Sequence, residues 1–205
     1  MTTSDSKSSY HHGDLRDGLL QAAMEIIQHS GIEGLSMRKL ADRVGVSRTA
    51  PYHHFRDKQS LLSELALQGF RHYGQQVEQI VNDRALDAEQ HLNQFVQAYL
   101  RFALQHPQSY ELMFGQTLWK SGQASEALRS EAYACFQRFV VLVEYWQQQG
   151  VLPAEAEALR FAQVVWSMLH GLSRLVIDGI YLESSSLDAI TETLLGLIKQ
   201  QLKTK

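Results

Sequence analysis

The 205-residue chain holds one cysteine, three prolines and no long apolar run. Each scarcity excludes something. A lone Cys135 rules out an intramolecular disulfide, fits a reducing compartment, and is expected to be a small buried hydrophobe. No apolar stretch approaches the ~18 residues of a membrane span, so no membrane role is expected. The polar opening Met1–Ser9 has no apolar core of a secretory signal and is read as an arm outside the fold. Prolines at 51, 107 and 153 alone leave long uninterrupted segments, and no run alternates as a half-buried strand does. His-Glu-x-x-His, paired Cys-x-x-Cys, a Gly-rich phosphate loop and Gly-x-Ser-x-Gly are missing. The adjacent pairs His11–His12 and His53–His54 are poorly spaced for chelation from one helix face. The expectation is a protein that is not an enzyme and has neither metal nor cofactor.

What the chain does hold is helical period. Approximate helices are expected at 14–30, 36–44, 47–55, 57–81, 88–105, 107–114, 123–149, 154–178 and 185–203, an all-α fold of about nine helices. Within 34–58 the pattern is sharper. Ser36 is placed to cap a helix whose Met37, Leu40, Ala41 and Val44 fall at i, i+3, i+4 and i+7. Gly45 then ends it where a positive φ is needed. Val46 plugs the turn, and Ser47 is expected to cap a second helix running to Phe55. Pro51 would sit at the fourth position of that helix, deleting a bond to the Ser47 carbonyl. Asp57 can cap a third helix, with Leu61, Leu62, Leu65 and Ala66 facing inward.

Two short capped helices broken at one glycine are the pattern of a helix-turn-helix, which lays its second helix in the DNA major groove. Charge agrees. Residues 36–58 carry six Lys/Arg (38, 39, 43, 48, 56, 58) against two acids (42, 57), in a chain of net charge −3. A basic head on a mildly acidic body favours binding aimed by one face.

The stretch from about Asp14 to Leu62 resembles the TetR family of bacterial transcriptional regulators. The likeness rests on Gly31-Ile32-Glu33-Gly34-Leu35-Ser36, Leu40-Ala41, Val44-Gly45-Val46-Ser47, Tyr52, Phe55 and Lys58. Thr49 stands where many members have glycine, and Pro51 where leucine or valine is usual, which touches the base sequence read rather than the fold. The resemblance implies DNA contacts at Ser36, Arg38, Arg48, Thr49, Tyr52, His53, His54 and Lys58. The chemistry suits it: Arg forks match guanine or phosphate, hydroxyls bond phosphate, and Lys58 is a point charge for the backbone. Adjacent on a helix, His53 and His54 diverge, and His53 is expected to be the outward one.

By the same resemblance, residues 1–60 form the arm and DNA-binding domain, and 61–205 an effector-binding and dimerisation domain. In the last two helices Leu172, Leu175, Val176, Leu187, Ile190, Leu194 and Ile198 are candidates for the dimer surface, since a helix apolar on more than one side needs a second partner. Tyr99, Phe102, Tyr110, Met113, Phe114, Trp119, Phe136, Phe139, Trp166 and His170 form either plain core or the lining of a small-molecule site. Trp166-Ser-Met-Leu-His170-Gly171 resembles the Trp…His-Gly signature of one TetR-type C-terminal class. His170 reads either as a packed core or interface residue or as a ligand contact. The expected partners are a palindromic double-stranded DNA operator, a second copy of the chain and an unidentified small effector, in a bacterial cytoplasm on the nucleoid. The expected function is a repressor released by a small apolar molecule. The alternative is a ligand-independent architectural or partner-recruiting dimer on DNA.

Overall fold

The computed structural model describes residues 12–120, 122–181 and 185–200. Among them the order is α1 His12–Gly34, α2 Met37–Val44, a 3-10 turn Ala50–His53, α3 Lys58–Val81, α4 Ala88–Gln105, α5 Pro107–Phe114, α6 Gln116–Trp119, α7 Glu126–Gln148, α8 Ala158–Ile177 and α9 Ser185–Lys199. The fold is all-helical, as the periodicity predicts. The expected end of the last helix, beyond 200, lies outside the described residues. The chain divides into two compact units, 1–65 with 116–124, and 66–115 with 125–205.

In the first unit, α1 breaks at Gly31 (φ 68°, ψ 176°), a conformation open to glycine alone. Ser36 caps α2 by accepting the Lys39 N–H, and Gly45 closes it at φ 75°. The glycine sits in the left-handed region that an L side chain enters only at a cost. Leu19, Leu20, Ala23 and Ile27 of α1 are buried with Leu40 and Ala41 of α2 and with Phe55, Leu61 and Leu62. Truncating one such leucine to alanine costs about 2–5 kcal/mol.

The expected α-helix over 47–55 winds differently. Residues 50–53 form a 3-10 turn, with Ala50 N–H donating to Ser47 O at 3.0 Å and Tyr52 N–H to Thr49 O at 3.1 Å. An α-helix would require residue 51 to donate to Ser47 O, and proline has no N–H. Ala50 therefore takes that carbonyl one residue early, and the turn tightens. Ser47 does not cap a helix here; its hydroxyl meets that of Thr49 at 3.1 Å. Pro51 itself is buried.

In the second unit, α4 packs on α5, α7, α8 and α9, and α7 packs on α8. A capping box opens α4: Gln90 N–H donates to the Asp87 carboxylate, and Asp87 N–H to the Gln90 side chain. Pro107 opens α5 at a position where its missing N–H costs nothing. The core is aromatic. Phe95 stacks on Phe139 at 4.9 Å and meets Trp146 edge-on at 5.5 Å. Helix α6 is absent from the sequence reading, being too short at four residues to show a period.

Candidate functional sites

Two of the first unit's cations are tied into its frame. Arg43 Nη2 reaches Glu25 at 3.0 Å, linking α2 to α1, and Arg16 reaches Glu64 at 3.0 Å with its guanidinium over the Phe55 ring. Two lysines serve as braces. Lys58 Nζ donates to Ile32 O at 2.7 Å and Lys39 Nζ to Gly34 O at 3.0 Å, satisfying carbonyls where α1 ends. The Asp57 carboxylate accepts the Ser60 N–H at 2.8 Å, and this bond and Arg56 hold its pKa below the usual carboxylate value.

The remaining basic groups face outward. Arg38 is 72% exposed, with only a loose 4.0 Å approach to Asp42. Arg48 is exposed and has no side-chain hydrogen bond or ion pair among the described residues. Ser36, Thr49, Tyr52 and His53 are exposed beside them, and Tyr52 leaves 54% of its surface in water. His54 is half-buried, its ring 6.5 Å from that of Phe55, while His53 is the outward histidine. The structure thus leaves one guanidinium without a partner and a second only loosely held, with exposed hydroxyls and an uncovered ring, on α2 and the turn that follows it. Groups of this kind bind phosphate and base edges.

The second unit holds a buried polar chain inside its aromatic core. The Trp166 indole N–H reaches the Tyr99 hydroxyl. Tyr99 Oη lies 2.9 Å from Tyr110 Oη, which lies 2.6 Å from His170 Nδ1. Indole only donates, so one consistent direction is Trp166 to Tyr99 to Tyr110 to His170, with His170 neutral and its Nδ1 accepting. Burial supports that state. It pushes the Tyr110 hydroxyl up to about 12, raises Tyr99 and Tyr73 well above an ordinary tyrosine, and lowers His170 with help from Arg174.

Around this chain the rings of Phe114, Trp166 and His170 lie 5.4–5.9 Å apart, and Phe136 meets Trp166 at 6.0 Å. Phe102 joins through Tyr73, and Tyr110 packs on Phe114 at 4.8 Å. Met113 is buried beside α3, and Trp119 belongs to the first unit. Three participants escape the sequence reading. Tyr73 brings a buried hydroxyl that has no hydrogen-bond partner, and Ser173 a buried hydroxyl that reaches the Tyr110 hydroxyl. Arg174 donates to Glu111 and, at 2.8 Å, to Asp178. Ser173 and Arg174 follow His170 by three and four residues, so helical period alone puts them on its face.

The terminal helices divide their apolar residues. Leu172, Leu194 and Ile198 are buried within the protomer, whereas Leu175, Val176, Leu187 and Ile190 are half-covered. Left open are Val164 and Met168 of α8 and Leu197 of α9. Among the described residues no three His, Cys, Asp or Glu side chains converge as a metal site, and no helix is long and apolar enough to cross a membrane.

A serine-capped helix closed by a glycine and followed by a 3-10 turn that carries an exposed guanidinium is the outline of a helix-turn-helix protein, here with a second helical unit. Residues 19–65 match the family model described as bacterial regulatory proteins, tetR family, and residues 92–198 match the one described as tetracyclin repressor-like, C-terminal domain. The chain belongs to the TetR family of transcriptional regulators. It is 46% identical over 48 residues to the class A tetracycline repressor of transposon 1721 from Escherichia coli, a match covering 23% of this chain and 22% of that protein. A longer match, 24% identical over 158 residues, covers 77% of this chain and 76% of the uncharacterized HTH-type regulator YobS of Bacillus subtilis. Among solved structures, a protein of unknown function from Rhodococcus sp. RHA1 superposes with a TM-score of 0.80 at 31% identity, covering 95% of this chain and 100% of that one. The TetR-family regulator PfmR from Thermus thermophilus shares the fold, with a TM-score of 0.65 at 21% identity over 91% of this chain and 99% of that one.

Proposed function

We propose that the chain is a homodimeric repressor that binds a palindromic operator and leaves it when a small, apolar molecule enters the second unit. Residues 1–60 serve as the DNA-binding domain and 61–205 as the effector and dimerisation domain. The observation that carries the reading is Arg48, an exposed guanidinium without a partner on the turn that a helix-turn-helix presents to the major groove. Arg38, Ser36, Thr49, Tyr52 and His53 extend that face. Lys58 acts first as a brace on Ile32 O and His54 as a packed support, each contributing to DNA through position.

A second copy is the natural cover for Val164, Met168 and Leu197, flanked by the half-covered Leu175, Val176, Leu187 and Ile190. Leu172, Leu194 and Ile198 lie behind that surface as its support. Two heads in such a dimer would enter successive major grooves about 34–36 Å apart. Ligand and DNA would then weaken each other's binding by one common factor. The setting is the bacterial cytoplasm, on the nucleoid.

The test is a gel shift of the full chain against the DNA upstream of its own coding sequence, at moderate salt. A sequence-specific complex that a tenfold excess of unrelated DNA does not compete away is expected. A complex lost equally to any DNA would overturn the reading.

A further inference from the structure

We infer that Pro51 is a positioning residue for base reading: its winding of the turn sets Thr49 and Tyr52 in one row, which offers the Thr49 methyl to a thymine methyl in the major groove. The inference rests on the DNA-binding reading above and names the residue pair and the base. A 3-10 turn repeats every three residues, so side chains three apart eclipse one another. Thr49 and Tyr52 then form one row, Ala50 and His53 a second, and Pro51 and His54 a third. Burial follows the rows. Thr49 and Tyr52 are exposed, Ala50 is half-buried beside an exposed His53, and the third row turns inward, with Pro51 buried and His54 half-buried. An α-helix would present another surface. At about 100° per residue, Tyr52 would swing about 60° to one side of Thr49, and His53 would come within about 40° on the other. The histidine, not the tyrosine, would then be the nearer neighbour of Thr49.

The backbone bonds assign the winding to the proline. Ser47 O accepts from Ala50 and Thr49 O from Tyr52, each three residues on, because residue 51 has no N–H to offer four residues on from Ser47. Past the proline the Pro51 carbonyl accepts the Phe55 N–H at 2.9 Å as well as that of His54 at 3.1 Å, so α-type bonding returns at once. The tightening is confined to the segment that carries Thr49 and Tyr52. Side-chain contacts then select the base. The Thr49 hydroxyl is engaged with that of Ser47 at 3.1 Å, which holds a β-branched side chain in one rotamer and leaves its methyl as the free end. Contact between a threonine methyl and the C5-methyl of thymine is one of the direct readouts of the major groove. The Tyr52 ring, 54% exposed, flanks that methyl in the same row and can share the contact. Neither side chain is a cation, so the row supplies base preference, while Arg48 and Arg38 supply the salt-dependent attraction to phosphate.

The test is selection of bound duplexes from a random DNA library by the full chain, beside Pro51→Ala, Thr49→Ala, Tyr52→Ala and His53→Ala. The parent is expected to select half-sites with a thymine at a position that Thr49→Ala relaxes. Exchanging that thymine for uracil should cost the parent about 4-fold in affinity, the worth of one covered methyl, and Thr49→Ala almost nothing. Tyr52→Ala should relax the same base pair or its neighbour, and His53→Ala a different one. Pro51→Ala restores an N–H for Ser47 O, so it should lose about 10-fold on the parent's site and select another base at the Thr49 position. Its slope of log affinity against log salt should match the parent's, which loss of fold or of phosphate contacts would not allow. Folded Pro51→Ala selecting the parent's own sequence, a uracil exchange without effect, or relaxation by His53→Ala at the Thr49 position would each overturn the inference. If Pro51→Ala does not fold, the three alanine variants at exposed positions and the uracil exchange decide it. A parent that selects no sequence at all overturns the DNA-binding reading itself, a result distinct from every other.

Discussion

The first unit carries its chemically distinctive side chains outside and charged, and the second carries its own inside and neutral. Arg38 and Arg48 stand in water, while Tyr73, Tyr99, Tyr110 and His170 are enclosed and held uncharged. Long-range attraction survives only where charge is exposed, and discrimination between similar small molecules needs water excluded. The first unit is therefore suited to screened, salt-sensitive contacts and the second to unscreened, short-range ones. The comparison can be broken by conditions or by substitutions that act on one unit and spare the other.

The largest expected effect is alkaline. A tyrosine whose folded pKa is raised contributes stability that is complete below its unfolded value, near 10, and is lost as pH climbs through the folded value. Tyr110, pushed up to about 12, is worth on the order of 2–3 kcal/mol by this linkage, and Tyr73 and Tyr99 act in the same direction. On the acid side His170 is lowered, so its contribution is complete above about 6.5 and is lost as pH falls through its folded value. The thermal midpoint of the second unit should then hold a plateau between these limits and drop on either side. His170→Phe should flatten the acid limb alone. An acid limb unchanged in that variant would mean that His170 is not held neutral by its surroundings.

The next effect belongs to the head. Arg48→Ala is expected to weaken operator binding about 10–100-fold and to reduce the slope of log affinity against log salt by about one, with the thermal midpoint unmoved. Lys58→Ala should do nearly the opposite, lowering the midpoint through the lost bond to Ile32 O while changing the salt slope by well under one. Measuring both variants by gel shift at several salt concentrations sharpens the division between charges that read DNA and charges that hold the frame. Equal slopes for the two variants would erase it.

The two units also differ in how much of them is legible in the sequence. The head's architecture is written locally, since Ser36, the apolar stripe through Val44 and Gly45 lie within ten residues, and each cap bonds a residue about one turn away. The exception is the recognition turn. Helical period over 47–55 suggests an α-helix, but the single absent N–H of Pro51 shifts the Ser47 carbonyl to Ala50 and tightens the winding. In the body, periodicity finds the helices, with α4 and α5 at the expected residues. It does not find which polar atoms meet. The Tyr110–His170 bond joins residues sixty apart, and the Tyr73 hydroxyl is notable for lacking a partner, which no spacing encodes. Buried apolar residues on α8 and α9 are equally ambiguous in a sequence, because an inward face and a partner-facing one use the same amino acids. Leu172, Leu194 and Ile198 show the inward solution, Val164, Met168 and Leu197 the uncovered one.

The smallest expected effect tests whether head stability, like body stability, depends on pH. Asp57 accepts the Ser60 N–H at the start of α3, and the Ser60 hydroxyl in turn accepts the Asp57 N–H at 3.1 Å. Its lowered pKa means that the carboxylate's contribution is complete above the unfolded value near 3.9 and is lost as pH falls through the folded one. Asp57→Ala should therefore cost about 1 kcal/mol at neutral pH, the usual worth of an N-cap. The deficit should shrink toward zero in acid as the parent loses the same interaction. Asp57→Asn keeps an acceptor for the Ser60 N–H without a charge, so it should recover most of the neutral-pH loss and carry no acid dependence of its own. Chemical denaturation at several pH values reads all three proteins. A deficit in Asp57→Ala that persists undiminished in acid would assign the effect to packing at the entrance of α3 rather than to the carboxylate.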